Sequence, residues 1–222
     1  AGLRVELLEA RHVRAAFKTM PVKTDRKDAQ GIAQLMRLGW FRSVHCKSLP
    51  AQEVRALLTA RKLVQGKLHD VEMSLRGILR GFGLKVGQPS KRRFEGRILE
   101  LVSGQATLQL LADALLKVRG VLMRELGGLD KRVRGDARQD SRTRLLMTVP
   151  GVGTIVALTY VSAIDAPGRF KSSKDVGPHF GLTPKKYQSG ETDVTGRISK
   201  VGDKAVRTAL YEADRKSTRL NS

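Results

Sequence analysis

The chain has a single cysteine, Cys46, in 222 residues. One thiol excludes an internal disulfide and any cysteine-rich zinc site, and it fits a reducing cytoplasm. Acidic residues are scarce as well. Asp and Glu number 21 against 42 Lys and Arg, giving a formal net charge of +21 and a pI near 10.8. The excess favours a polyanionic partner, most commonly nucleic acid, although a ribosomal or membrane-surface protein shares it. Long apolar runs are missing: none approaches the roughly 20 residues that span a bilayer. No signal peptide is visible, but the chain opens on Ala1 and not on Met, so a preceding leader is not excluded.

The length suits one large domain or two small ones. "GLRVELLEA" reads as a short strand, with Leu3, Val5 and Leu7 alternating with Arg4 and Glu6. A basic connection follows. A helix is then expected over 28–38, with Ile32, Leu35 and Met36 on one face and Gly39 as its stop. From Val54 to Phe82 apolar residues recur in steps of three and four, interrupted only by Arg61. A second seam runs from Ile98 to Val133 through Gln105 and Arg119. The Gly-, Pro- and Lys/Arg-rich stretch between them predicts a turn, and hence an antiparallel helical hairpin or coiled coil, packed within one chain or between two.

Beyond Ser141, "LLMTVPGVGTIVALTYVSAI" sets Pro150-Gly151-Val152-Gly153 between two apolar runs. That is a helix–hairpin–helix pattern, in which Gly151 and Gly153 admit a phosphate to the second helix's N-terminal amides. An ordinary turn between core helices gives the same pattern. A short amphipathic helix is expected through Ala205, Val206, Ala209 and Leu210. "DRKSTRLNS" has no apolar period and predicts a disordered or non-native tail over 214–222 without function.

Four stretches, "KTDRKDAQGIAQL", "TVPGVGTIVALTYVSAI", "RFKSSKDVGPHFGLTP" and "YQSGETDVTGRISKVGDKAVRTALYEA", occur here in that order. In this the chain resembles the insertion sequence 110 family, the DEDD-type transposases, some of them guided by a bridge RNA, from about Arg4 to Ala213. The resemblance implies a mainly α chain. Residues 1–48 would be the end of an α/β RuvC-like (RNase H-like) domain, and 49–138 the helical hairpin. Residues 139–213 would be an α-rich C-terminal transposase domain with the helix–hairpin–helix-like turn. Asp25 and Asp28 match the last two of the family's four magnesium-binding acids, and a carboxylate-held Mg²⁺ or Mn²⁺ offsets charge on a reacting phosphodiester. Read from the residues alone, the same pair caps a helix, Asp25 as N-cap and Asp28 in the first turn.

The family's first Asp and its Glu have no match in this chain, which the resemblance therefore implies to begin partway through the domain, to stop early and to be inactive alone. Ser189, in "YQSG", matches the family's serine nucleophile, with Ser199, Thr192 and Thr195 as rivals. A plain turn is the alternative. Lys185, Lys186, Arg197, Lys200, Lys204 and Arg207 are expected on phosphates, or else on a solvated face. The implied function is insertion-sequence DNA transposition or recombination in a bacterial cytoplasm, associated with the nucleoid. The partners would be DNA, a guide RNA and further copies of the chain, without a membrane. A non-catalytic helix–hairpin–helix DNA binder and a water-using RuvC-like nuclease are the competing readings.

Overall fold

The computed structural model describes residues 5–18 and 23–220. The chain falls into two compact units, Ala1–Ser48 and Leu49–Ser222.

In the first unit the expected strand is corrected. A single antiparallel bridge joins Leu8 to Ser43, flanked by the Val44 amide donating to the Leu7 carbonyl at 2.8 Å and the Glu9 amide donating to the Arg42 carbonyl at 3.0 Å. Val5 is 88% exposed, so the alternation has no face to bury among the described residues; Leu3 and Arg4 lie outside them. The basic connection instead forms helix α1 (Ala10–Ala16). Helix α2 (Asp25–Arg37) begins three residues ahead of the expected start, because the Thr24 hydroxyl accepts from the Lys27 amide at 3.3 Å and caps it. Leu35 is buried, but Met36 is exposed. Gly39, at φ +63, stops the helix, its amide bonding back to Met36.

The second unit is built on two long helices, α3 (Leu49–Gly81) and α5 (Ala106–Gln139). They run antiparallel: Leu75 and Leu79 cluster with Leu108, Ala112 and Leu116, while Val54, Leu57 and Leu58 pack with Val133 and Ala137. The polar interruptions of the seams meet partners across the pair. Arg61 donates to Asp130. Arg119, 3% exposed, donates to Glu72 at 2.8 Å and to the Lys91 carbonyl at 3.1 Å, with its guanidinium 4.7 Å from the Phe94 ring centre.

The second seam is not one helix. α4 (Phe94–Val102) precedes α5, and Gly104, at φ +79, breaks the run. Phe82 falls past the end of α3 and is exposed. Below the long pair, Asp140 caps α6 (Ser141–Leu146) through the Arg142 amide and accepts from the buried Thr143 hydroxyl at 2.8 Å. α7 (Thr154–Ile164) buries residues on every side from Val156 onward, packing against α3, α5, α6 and α9. Its Thr159 and Ser162 hydroxyls are satisfied on the Ile155 and Thr159 carbonyls of the same helix.

After α8 (Val176–His179) comes an antiparallel hairpin, β1 (Pro184–Ser189) and β2 (Thr192–Ile198). Sequence patterning misses it because every residue of both strands is exposed, so no apolar alternation marks either face. The base of the hairpin is closed by glycines. A Cβ on Gly181 (φ +66) would lie 2.1 Å from the Val201 carbonyl oxygen, and one on Gly202 (φ +86) 2.3 Å from that of His179.

α9 (Lys204–Leu220) corrects the expectation of a disordered tail from Asp214. Ala213 is buried, and a Cβ on Gly151 (φ +83) would lie 2.3 Å from its carbonyl oxygen and 3.0 Å from the Ser217 nitrogen. The helix thus continues because its later turns lie against the Pro150-Gly151 turn. No helix among the described residues is long and apolar enough to cross a membrane.

Asp203 ties α9 to α3. Its carboxylate is 2.6 Å from the Arg55 guanidinium and accepts from the Ala205 amide at 2.8 Å. Burial pushes this carboxyl up, but the Arg55 hydrogen bond and charge, with the Ala205 and Val206 amides, outweigh it and hold it below the ordinary carboxylate value. A group depressed on folding stabilises above its unfolded pKa and loses that contribution as pH falls through the folded one. Asp203→Asn should therefore cost about 1–2 kcal/mol at neutral pH. It should also flatten the acid limb of a stability–pH curve below about pH 4, measured by urea unfolding.

Candidate catalytic and nucleic-acid-binding residues

Asp25 and Asp28 both occupy the first turn of α2. Thr24, not Asp25, is the N-cap, which corrects that part of the capping reading. A spacing of three puts the two carboxylates on one side of the helix. Neither carries an ion pair or hydrogen bond among the described residues, and Asp28 lines a cavity of about 590 Å³ with Arg14, Lys18 and Lys23. Carboxylate oxygens are the hard donors that Mg²⁺ takes, so the pair fits part of such a site. Two carboxylates leave most of an octahedral shell to other ligands, and no cluster of three or more His, Cys, Asp or Glu occurs among the described residues.

Ser189 ends β1 directly opposite Thr192, at the mouth of a two-residue loop whose first residue, Gly190, has φ +55. Gly at that position is what a type II′ hairpin turn takes. The turn reading and the nucleophile reading therefore coexist: the turn presents the hydroxyl at an exposed tip. No side chain among the described residues hydrogen-bonds that hydroxyl. Of the rivals, Thr192 and Thr195 lie on β2, whereas Ser199 sits at the hairpin base, its amide donating to the Thr183 carbonyl at 2.8 Å. His179, the nearest histidine in sequence, has its Nε2 3.0 Å from Arg169 and its ring edge-on to Phe170 and Phe180. Burial lowers the Arg169 pKa, with the Asp165 charge opposing it. The carboxylates belong to the first unit and Ser189 to the second.

The expected phosphate contacts divide. Lys185, Arg197 and Lys204 are exposed. Lys186 is also exposed, with its ammonium 3.1 Å from Asp193 across the hairpin. Lys200 holds a left-handed backbone, φ +55, its amide bonded to the Gly181 carbonyl at 3.0 Å. Arg207 is different. Its guanidinium donates to the Phe180 and Val201 carbonyls at 3.0 and 3.1 Å, so it braces the glycine-closed base of the hairpin. Gly151 is likewise a packing residue: what comes close to it is the α9 backbone. Gly153, the α7 N-cap, has open space around it.

These differences predict separate outcomes. Lys185→Ala with Arg197→Ala should lower the dependence of log K on log salt for duplex DNA by up to about 0.9 for each lost phosphate contact. Arg207→Ala should leave that slope unchanged and lower the Tm instead. A slope change for Arg207→Ala in a filter-binding titration would contradict the bracing role.

Sequence comparison bears on both halves. Residues 143–222 match the model of the Transposase IS116/IS110/IS902 family. The chain is 29% identical over 222 residues to the transposase for insertion sequence element IS1111A of Coxiella burnetii, covering 96% of this chain and 59% of that protein. It is 26% identical to a probable family 20 transposase of Pseudomonas aeruginosa, covering 87% and 59%. It is 24% identical to the transposase for insertion sequence element IS1328 of Yersinia enterocolitica, covering 96% and 64%. The chain thus spans less than two thirds of the length of each of these relatives. Ser189 falls inside the family segment, and Asp25 and Asp28 precede it. By these matches the chain is similar to transposases of insertion sequences, and its residues 143–222 are similar to the IS116/IS110/IS902 family.

Proposed function

We propose that the chain is the greater part of a DNA transposase that joins and exchanges strands by phosphoryl transfer, with Ser189 as nucleophile. The observation that carries this reading is the family segment over 143–222, with Ser189 exposed on its hairpin tip beside a glycine. The serine hydroxyl is a weak nucleophile at its free pKa and needs a base or metal to activate it. Asp25 and Asp28, at the end of a RuvC-like domain, would hold part of a Mg²⁺ or Mn²⁺ site that supplies charge neutralisation at the phosphate. The surrounding Lys and Arg bring the DNA backbone to both places. A guide RNA and further copies of the chain complete the reading, in a cytoplasmic, nucleoid-associated protein.

The helix–hairpin–helix binder is the less favoured alternative, because the α9 backbone fills the space beside Gly151 that a phosphate would take. The test is covalent chemistry. Incubated with its DNA, guide and Mg²⁺, a protein that also carries the two upstream acids should form a denaturation-resistant adduct, and peptide mapping should locate it on Ser189. An active enzyme without an adduct would be a nuclease that uses water.

A further inference from the structure

Ser189 shares one face of the hairpin with residues that sequence reasoning passed over. Cross-strand partners point to the same side, and positions two apart along a strand do too. Ser189 faces Thr192, and Tyr187 faces Val194, so these four residues make one surface. Tyr187 is 63% exposed and Val194 52%. The ring has no aromatic or hydrogen-bond partner among the described residues. Nothing in the packing of the second unit calls for an aromatic here, on a ribbon both of whose faces are open.

We infer that Tyr187 is a stacking platform for an unpaired DNA base beside the phosphate that Ser189 addresses. The inference rests on Ser189 being the nucleophile. Charge complementarity selects the occupant: Lys185, two residues from Tyr187 and against Gly196 across the ribbon, is in no ion pair among the described residues, while Arg197 and the Lys186–Asp193 pair lie on the other face. A nucleotide offers both a flat π face and an adjacent phosphate, and an aromatic ring with a cation beside it takes both at once. A base inside a duplex hides its face against its neighbours, so the occupant is a base out of the stack. Held there, it fixes the strand relative to the Ser189 hydroxyl, which makes Tyr187 a positioning residue for the transfer.

The test uses this chain and a single-stranded 20-nucleotide thymidine probe carrying one 5-iododeoxyuridine. Irradiation should crosslink the probe to Tyr187, located by peptide mapping. Tyr187→Ala should weaken binding of the unmodified probe by about 5- to 150-fold, the range for loss of one stacked base. Tyr187→Trp should stay within about twofold, and neither substitution should change the salt slope or affinity for the matching duplex. Full affinity in Tyr187→Ala, an equal loss on duplex, or a loss confined to an RNA 20-mer each overturns the inference. The two readings fail separately. An adduct at Ser189 with full single-strand affinity in Tyr187→Ala removes the platform and keeps the nucleophile; stacking without any adduct in the longer protein does the reverse.

Discussion

Ser189→Ala should abolish the covalent joint between protein and DNA and with it strand exchange, a loss of at least about 10⁴-fold, the scale seen when a nucleophile is removed. DNA affinity should stay within about fivefold. The separation follows from where Ser189 sits. It is on an exposed tip, with no side-chain hydrogen bond to lose among the described residues, so alanine disturbs neither fold nor surface charge. A single neutral hydroxyl contributes about 1 kcal/mol at most to binding, whereas no other atom of residue 189 can attack phosphorus. The assay needs a protein that supplies the upstream acids, and Asp25→Asn or Asp28→Asn in that protein should remove activity as well. The serine replacement should leave metal binding intact and the asparagines should weaken it, as calorimetry with Mn²⁺ would read. Strand exchange surviving in Ser189→Ala would end the serine mechanism, and an adduct on Ser199 would move it to the hairpin base.

Gly181→Ala should be the most damaging single methyl addition in the second unit. Two costs coincide at this position. An L-residue at φ +66 carries about 1–2 kcal/mol of left-handed strain. The new Cβ would also meet the Val201 carbonyl oxygen and amide nitrogen at 2.1 and 2.3 Å. Backbone cannot swing away as a side chain can, and forced shifts of this kind cost about 1–3 kcal/mol more. A total of roughly 3–5 kcal/mol is a large share of the 5–15 that holds a typical domain. Gly83→Ala is the control, since Gly83 has φ +75 with nothing within 4 Å and should lose only the first cost. If urea unfolding finds the two variants equally mild, the close approach at Gly181 is wrong.

What the sequence made legible was whatever one buried stripe writes into a chain. The steps of three and four through Val54, Leu57, Val64, Leu68, Val71 and Leu75 mark the face of α3 that turns toward α5, and even Arg61 and Arg119 in the seams proved to be paired. The break at Gly104 was not legible, because one glycine in a periodic run does not say whether it continues or breaks the helix. The hairpin stayed hidden because a ribbon with two wet faces carries no hydrophobic period. The clues left were the Gly190-Glu191 pair and the Thr192, Val194 and Thr195 that follow. The tail stayed hidden for a related reason: α9 persists past Asp214 because of what lies opposite, the backbone at Gly151, and a glycine in a sequence shows that something comes close without saying what. The candidate site was legible only through its motifs. Local spacing gave Asp25 and Asp28 a shared helical turn and gave Ser189 a turn, and neither spacing distinguishes chemistry from capping.

The two charged contacts across the helical pair also constrain how this protein can change. As many residues separate Arg61 from Glu72 on one helix as separate Arg119 from Asp130 on the other. Both contacts therefore close in a single register, and a slip along the pair would leave the deeply buried Arg119 facing apolar side chains with its charge uncompensated. Insertions and deletions between these residues are then heritable only as matched changes in both arms. The loop from Phe82 to Arg93 lies outside the ladder but is held to it by the buried Val86 and by the Gly87 and Lys91 carbonyls, which accept from Arg76 and Arg119. Descendants of this chain should diverge in reach by whole rungs, and in the connecting loop only where Val86 and the Gly87 and Lys91 carbonyls keep their places.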